Sequence, residues 1–271
     1  MDQPFAPVFF AIVALSLTPL AAAQQPNAET IIQRSVQANE ADWKADPEYD
    51  WTEKDLQPNG GTKTLQEFMI SGSPYGRLIA VDDKPLPEAQ QHKEQQKLDA
   101  EIAKRRHETP EERRKRIAAF QKERKRDHLM MQQLTKAFNF KLAGEQTVDS
   151  HDVYVLNATP RADYRPPNMQ CQALKGMQGR LWIDKASFQW VKVEAEVIHP
   201  VSIEGVLARV LPGTRFELEK EPVDNGVWLP KHFAMKSQAR VLFLFSHNGR
   251  DDETYWNYHK STEVSSPRGG N

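Results

Sequence analysis

The candidate residues for a catalytic or metal centre are those with histidine, cysteine, serine or carboxylate side chains. The eight histidines, at positions 92, 107, 128, 151, 199, 232, 247 and 259, are isolated from one another, and no H-E-x-x-H or cysteine-rich set occurs. His107 and His128 lie among charged residues of a predicted helix, where we expect them to be solvated. A metal site assembled from residues distant in sequence stays open at this point.

Nucleophile motifs are also missing from the sequence. There is no G-x-S-x-G pattern, and Cys171 has no basic residue nearer than Lys175, which favours an inert thiol. The carboxylate pairs Asp82-Asp83 and Asp251-Asp252 fall in predicted turns, where aspartate hydrogen-bonds to nearby backbone. We therefore predict a protein that is not an enzyme and uses no cofactor or metal.

Basic residues form the densest cluster of charge, in three runs between positions 104 and 126 interleaved with glutamates. A locally positive helical arm of this kind suits anionic lipid headgroups or an acidic partner. The competing interpretation is a solvated, salt-bridged helical surface. Nucleic acid is excluded from the prediction, because no aromatic stacking platform accompanies the bases. The residues expected to contact a membrane or partner are Arg105, Arg106, Arg113, Arg114 and Arg116.

Large apolar side chains are concentrated in the second half of the chain. They include Trp182, Trp190, Trp228, Trp256, Phe216, Phe233, Phe243 and Phe245. In a closed sandwich these side chains would simply form the core. If the sheet is curved and covered by helices, the same side chains would line an apolar pocket.

The amino terminus predicts export. Residues 9–17 form a short apolar run, and Ala21-Ala22-Ala23 supplies an A-x-A cleavage pattern before Gln24. A secretory signal peptide over residues 1–23 is favoured over a retained anchor, because a spanning helix needs about 20 apolar residues. The remaining residues, 24–271, are expected to form one periplasmic domain, with 36 basic and 36 acidic residues once Asp2 is removed. A single cysteine offers no intramolecular disulfide.

The elements that must position these residues follow from hydrophobic spacing and turn signals. An amphipathic helix is predicted over residues 28–40, and strands over 49–53, 63–70 and 76–81. The charged interval 87–138 lacks glycine and predicts two helices, which break near Glu108 because Thr109-Pro110-Glu111-Glu112 is a capping-box signature.

Strands dominate the rest of the chain, and residues 188–198 show strict apolar and charged alternation. Further strands are expected at 139–146, 152–159, 179–184, 209–222, 227–245 and 253–260, with turns that include residues 184–187, 224–226 and 247–249. About ten strands in sequence-neighbouring pairs predict an α+β fold: a curved antiparallel sheet or incomplete β-barrel covered by helices, with a long charged helical insertion at 87–138.

Four short motifs carry a resemblance to a known family. They lie at residues 74–80 (PYGRLIA), 160–166 (PRADYRP), 179–184 (GRLWID) and 226–230 (GVWLP). With the signal peptide, the three early strands and the long antiparallel run, they make the chain resemble the outer-membrane lipoprotein-sorting proteins of the LolA/LolB-like superfamily. The charged insertion is longer than we expect of those carriers.

The resemblance implies a periplasmic carrier that holds the acyl chains of a lipid or lipoprotein in an apolar cavity, without chemistry. The residues expected to line that cavity are Trp182, Val191, Val193, Phe216, Leu218, Trp228, Phe233, Phe243 and Phe245. The alternative is a non-catalytic envelope protein that docks on a partner through its basic helical arm.

Overall fold

The computed structural model describes residues 26–203, 208–224, 226–241 and 245–262, so the predicted signal peptide and Phe243 lie outside it. Four α-helices occur in these ranges: α1 (Ala28–Ala45), α2 (Glu88–Arg106), α3 (Pro110–Gln132) and α4 (Leu134–Ala137). The strands are β1 (Tyr49–Leu56), β2 (Thr62–Ile70), β3 (Ser73–Val81), β4 (Lys84–Pro85), β5 (Phe138–Val148), β6 (His151–Pro160), β7 (Met177–Asp184), β8 (Trp190–Val197), β9 (Val201–Ile203), β10 (Ala208–Val210), β11 (Arg215–Asp224), β12 (Val227–Val241) and β13 (Phe245–Lys260).

All thirteen strands belong to one antiparallel sheet. Its order is β4-β3-β2-β1-β13-β12-β11-β8-β7-β6-β5. In addition, β10 pairs with the last residues of β12, and β9 pairs with β10. In the described ranges β4 and β5 do not pair, so the sheet is open. Helix α1 contacts both β5 and β12, which stand five places apart in this order, so the sheet must curve around it. The predicted α+β fold with a curved, unclosed antiparallel sheet is confirmed.

Local signals set the helix boundaries. The Asn27 side chain caps α1 by accepting a hydrogen bond from the Thr30 amide at 2.8 Å. The predicted capping box at the start of α3 is present, with Thr109 and Glu112 each bonding the other's backbone. The break between the two long helices therefore falls where the sequence placed it. None of the helices in the described ranges is long and apolar enough to cross a bilayer.

Two arginines fasten α2 and α3 to the turn between β2 and β3. Arg105 is buried and donates to the carbonyls of Ile70 at 2.8 Å and Ser73 at 2.7 Å. Arg116 donates to the Ser73 hydroxyl at 2.7 Å and is held by Glu108. Charged hydrogen bonds thus join the helical pair to the sheet and satisfy carbonyls that the turn leaves open.

The hydrophobic core lies between α1 and one face of the sheet, here called the α1 face. Ile31 and Ile32 of α1 pack with Leu156, Leu181 and other side chains of β5 to β8 in the main cluster. A smaller cluster of Val153, Val155, Trp182, Val191 and Trp228 is separate from it. Because side chains alternate along a strand, Leu156 and its neighbour Val155 belong to different clusters on opposite faces.

Three local predictions are wrong. Residues 247–249 do not turn but lie within β13, where Asn248 pairs with Gln238, and Asp251-Asp252 consequently lie in a strand. The predicted strand at 209–222 is broken by a turn at Gly213, whose φ of +95° suits glycine. His128 is buried rather than solvated, because its ring stacks on Trp43 of α1.

Candidate ligand-binding groove

A row of small side chains crosses the α1 face of the sheet. Ala158, Gly179 and Ala195 are direct neighbours on β6, β7 and β8. The row continues through Phe216 of β11 to Met235 of β12. Because alanine and glycine project little or nothing from a strand, they leave a furrow between the larger side chains on either side.

A groove of about 1650 Å³ follows this row across the sheet. Its lining includes all five members of the row, together with the turn between β1 and β2. Charged residues occur along the whole lining: Arg180, Glu194, Glu196, Arg215 and Glu217 on β7 to β11, and Lys236, Arg250, Asp251 and Asp252 on β12 and β13. Apolar and charged side chains therefore line the groove together.

Four of the predicted cavity residues are neighbours: one lies in this row and three lie in the row beside it. Val193, Leu218 and Phe233 are direct neighbours on β8, β11 and β12, and Phe216 belongs to the furrow itself. The rings of Phe216 and Phe233 meet edge to face with centroids 5.5 Å apart. Leu218, Phe216 and Phe233 are only half-buried, so part of their apolar surface remains available to a ligand.

The other predicted cavity residues lie elsewhere. Trp182, Val191 and Trp228 pack together in the smaller cluster, away from the furrow. A bulge between Trp182 and Ile183 shifts the register with β8, which explains why Val191 and Val193 do not share a cluster although they are two residues apart. The backbone of Phe245 belongs to β13, and Phe243 falls outside the described residues.

The face opposite to α1 is charged around Trp182. Lys192 of β8 bonds Glu217 and lies 3.1 Å from Glu194 and 3.4 Å from Glu219. Its ammonium also stands 6.0 Å from the ring centroid of Trp182. These paired charges make this part of the sheet polar, and two of them, Glu194 and Glu217, also belong to the groove lining.

Helix α1 is fixed to the sheet by a buried polar junction. Asp42 accepts hydrogen bonds from the Lys220 ammonium at 2.6 Å, the Gln189 amide at 3.0 Å and the Trp228 backbone at 3.0 Å. Burial lowers the pKa of Lys220, and the Asp42 carboxylate opposes that effect. Trp190 also donates to the hydroxyl of Ser35 in α1 at 2.5 Å.

Beyond β12 the α1 face carries carboxyl groups. Glu53 and Asp55 of β1, Glu67 of β2 and Glu253 of β13 form what we call the carboxyl cluster. Asp55 is directly opposite Glu253, and Glu53 is directly opposite Tyr255. Trp51 donates to Glu53 at 3.0 Å, and Tyr255 donates to Glu253.

Protons are held unusually tightly in the carboxyl cluster. Burial, together with the hydrogen bond that the protonated Glu53 donates to Asp55, raises the pKa of Glu53 to about 8. Burial and the nearby Asp55 charge raise the pKa of Glu67 to about 7. Burial also raises the pKa of Glu253. Glu53 is therefore largely neutral at pH 7 and Glu67 is about half neutral, and a neutral carboxyl can donate as well as accept hydrogen bonds.

The predicted contact residues of the basic arm divide into two groups. Arg105 and Arg116 point inward to the turn between β2 and β3. Arg106, Arg113 and Arg114 are exposed on α2 and α3. Only the second group is available to an external partner.

No set of three histidine, cysteine, aspartate or glutamate side chains suited to a metal ion occurs in the described ranges. Cys171 is buried, and burial raises the pKa of its thiol. The functional residues that sequence reasoning missed are the small residues of the furrow and the carboxyl cluster. Alternating acids at positions 53 and 55 were the available signal, since period-two spacing on a strand places both on one face.

No family model and no curated protein matches the chain. Among solved structures, a LolA superfamily protein from Nitrosomonas europaea is similar at 11% identity and a TM-score of 0.34, over 89% of this chain and 96% of that one. A putative outer membrane lipoprotein-sorting protein domain from Vibrio parahaemolyticus is similar at 12% identity and a TM-score of 0.31, over 87% and 95%. A chain of the Pseudomonas aeruginosa MucA/MucB complex is similar at 13% identity and a TM-score of 0.24, over 84% and 92%. The first carries the superfamily name that the sequence motifs suggested.

Proposed function

We propose that the chain is a non-catalytic binding protein whose groove holds the acyl chain of a lipid or lipoprotein, as a carrier in the periplasm. The observation that carries the proposal is the furrow of Ala158, Gly179 and Ala195 between larger apolar side chains. An acyl chain has no polar groups along its length, so it suits a long apolar channel rather than a set of polar anchors. The half-buried rings of Phe216 and Phe233 supply apolar contact at the side of the furrow.

The size of the groove supports a flexible ligand. Sites for drug-sized molecules have volumes of about 300–1,000 Å³, and this groove has about 1650 Å³. The bases in its lining, which include Lys236 and Arg250, suit the headgroup phosphate or carboxylate of an amphiphile. The binding energy would come from removing apolar surface from water, which makes the complex reversible and needs no chemical step.

A test fills the furrow and measures uptake of a fluorescent fatty acid by the purified protein. The Ala195→Leu variant places a branched side chain in the furrow, and we expect it to weaken binding about tenfold or more. Phe216→Glu removes apolar contact at the same place and should act in the same direction. The matched control is Ala143→Leu, the same change at an exposed strand position outside the groove lining.

Native mass spectrometry of protein purified from its own envelope identifies the natural ligand. A stoichiometric lipid or acylated peptide, absent from the Ala195→Leu and Phe216→Glu proteins, would support the carrier function. If both furrow variants take up the fatty acid as well as the wild type does, the acyl-binding proposal fails. Urea unfolding of each variant shows whether a loss of binding reflects a loss of folding.

A further inference from the structure

Helix α3 carries more positive charge than its contacts use. Its sequence contains eight basic and four acidic residues. Arg116 is held by Glu108, and Arg124 lies 3.4 Å from Asp46 at the end of α1. Five other bases are exposed, and within the described part of the chain they form no ion pair or side-chain hydrogen bond: Arg113, Arg114, Lys115, Lys122 and Lys125.

Four of these bases form one stripe. Arg114, Lys122 and Lys125 are spaced by eight and three residues, which places them along the same side of a helix with the exposed Ala118 between them. Lys115 lies beside Arg114 on the same side. At a rise of 1.5 Å per residue, the stripe extends over about 16 Å. We call Arg114, Lys115, Lys122 and Lys125 the basic stripe.

The other side of α3 holds the stripe in a fixed orientation. Arg116 bonds the Ser73 hydroxyl at 2.7 Å, and the Arg124 guanidinium stacks over Trp43 of α1 at 4.6 Å from the ring centroid. Because these contacts face the sheet and α1, the basic stripe faces away from them. Glu112 is engaged by the Thr109 cap, which leaves Glu111 and Glu123 as exposed acids with described side chains on α3.

We infer that the basic stripe docks the protein on a bilayer surface with anionic headgroups. Protein interfaces depend on buried aromatic or apolar anchors at their centre. The large hydrophobic side chains exposed in the described ranges are Val81 and Met169, and neither lies on α3. A row of bases separated by alanines lacks such an anchor, whereas a charged membrane surface attracts each base additively without one.

This docking site is separate from the acyl-binding groove and does not depend on it. Its contacts are purely electrostatic, so high salt should reverse them. Raising the ionic strength from about 0.1 M to about 1 M shortens the screening length from about 10 Å to about 3 Å. Binding should therefore be strong at low salt and absent at high salt.

Co-sedimentation of the full-length mature protein with vesicles tests the inference. The vesicles are phosphatidylcholine alone, or phosphatidylcholine mixed with phosphatidylglycerol. We expect binding to the mixed vesicles only. The variant Arg114→Glu/Lys122→Glu/Lys125→Glu should bind them about a hundredfold more weakly, since each base near an anionic surface contributes additively.

The matched control is Lys63→Glu/Lys84→Glu/Lys175→Glu, which changes the net charge equally at three exposed lysines outside α3. It should retain most of the binding, and so should Phe216→Glu, which damages only the groove. Equal loss in the stripe and control variants would overturn the inference, as would equal binding to both kinds of vesicle. The inference would also be overturned if the wild-type protein bound neither kind of vesicle but was retained by immobilised polyglutamate. That result would favour an acidic protein partner.

Discussion

The α1 face of the sheet changes its chemistry between β12 and β13. One continuous row of neighbours runs from Leu156 through Leu181, Val193 and Leu218 to Phe233, and the next two members are Glu253 and Asp55. The first part packs beneath α1, and its free energy does not depend on pH. The second part is half-buried, and burial there raises the pKa values of Glu53, Glu67 and Glu253 and so makes their ionisation unfavourable. One sheet face can therefore serve as core in one half and as a proton-holding surface in the other.

The largest expected effect comes from detaching α1 from the apolar half. Asp42→Ala removes the partner of the buried Lys220 ammonium and of two further donors. Removing one partner of a buried ion pair lowers the free energy of unfolding by about 3–5 kcal/mol. Urea unfolding should show a loss of this size.

Asp99→Ala on exposed α2 is the control and should change stability by less than about 0.5 kcal/mol. If Asp42→Ala does not fold, Asp42→Asn keeps the shape of the side chain while removing its charge. A loss below about 1 kcal/mol in Asp42→Ala would show that the Asp42 junction contributes little to holding α1 on the sheet.

The second prediction compares leucines in the two halves. Leu156 is fully buried at 0% exposure, so Leu156→Ala should cost about 3 kcal/mol. Leu65 faces Glu53 across β1 and β2 and is only half-buried. Leu65→Ala should therefore cost about 1 kcal/mol. Equal losses in the two variants would contradict the division of the face into a packed half and a carboxyl half.

The architecture could be predicted because its signals are local. Alternation along β8 and the capping box at Thr109 each depend on a few neighbouring residues. The cavity residues could not all be assigned, because residues two apart on a regular strand share a face. The bulge between Trp182 and Ile183 breaks that rule for Val191 and Val193. Only the second part of β13 was predicted, at 253–260, because the Asn248-Gly249 dipeptide indicates a turn although both residues pair with β12.

The charged residues were harder to place than the apolar ones. Arg105 and Arg114 look equivalent in sequence, yet Arg105 meets the β2–β3 turn about thirty residues away along the chain while Arg114 meets solvent. Glu53 likewise looks like a solvated acid in the sequence, but in the structure it lies beside Tyr255 of β13. Such contacts arise from long-range pairing, which residue spacing does not encode.

The third prediction concerns the pH dependence of the carboxyl half. Glu53→Gln keeps the shape of a protonated glutamate and cannot ionise. At pH 9 this variant should be about 1–2 kcal/mol more stable than the wild type, and at pH 4 the two should be nearly equal. Urea unfolding across this range is the measurement.

The sign follows from the two pKa values. The unfolded chain loses the Glu53 proton near the ordinary value of 4.5, whereas the folded protein keeps it until about pH 8. Stability from this group is therefore complete below about pH 4.5, falls as the pH rises and is lost above about pH 8. Glu123→Gln at an exposed position of α3 offers a control for glutamate removal away from the cluster. A wild type whose stability rises relative to Glu53→Gln between pH 5 and 9 would contradict the raised pKa.

The smallest expected effect lies at the boundary between the halves, where Phe216 and Phe233 meet edge to face at 5.5 Å. A double-mutant cycle with Phe216→Leu and Phe233→Leu should give a coupling free energy of about 0.5–1 kcal/mol. The coupling should be the same at pH 5 and pH 8, because neither ring titrates. A coupling that changes with pH would mean that ionisation of the neighbouring Glu253 moves Phe233, since these two residues are direct partners across β12 and β13. The two halves of the face would then respond to pH as one unit, and the apolar groove would be sensitive to the proton state of the carboxyl cluster.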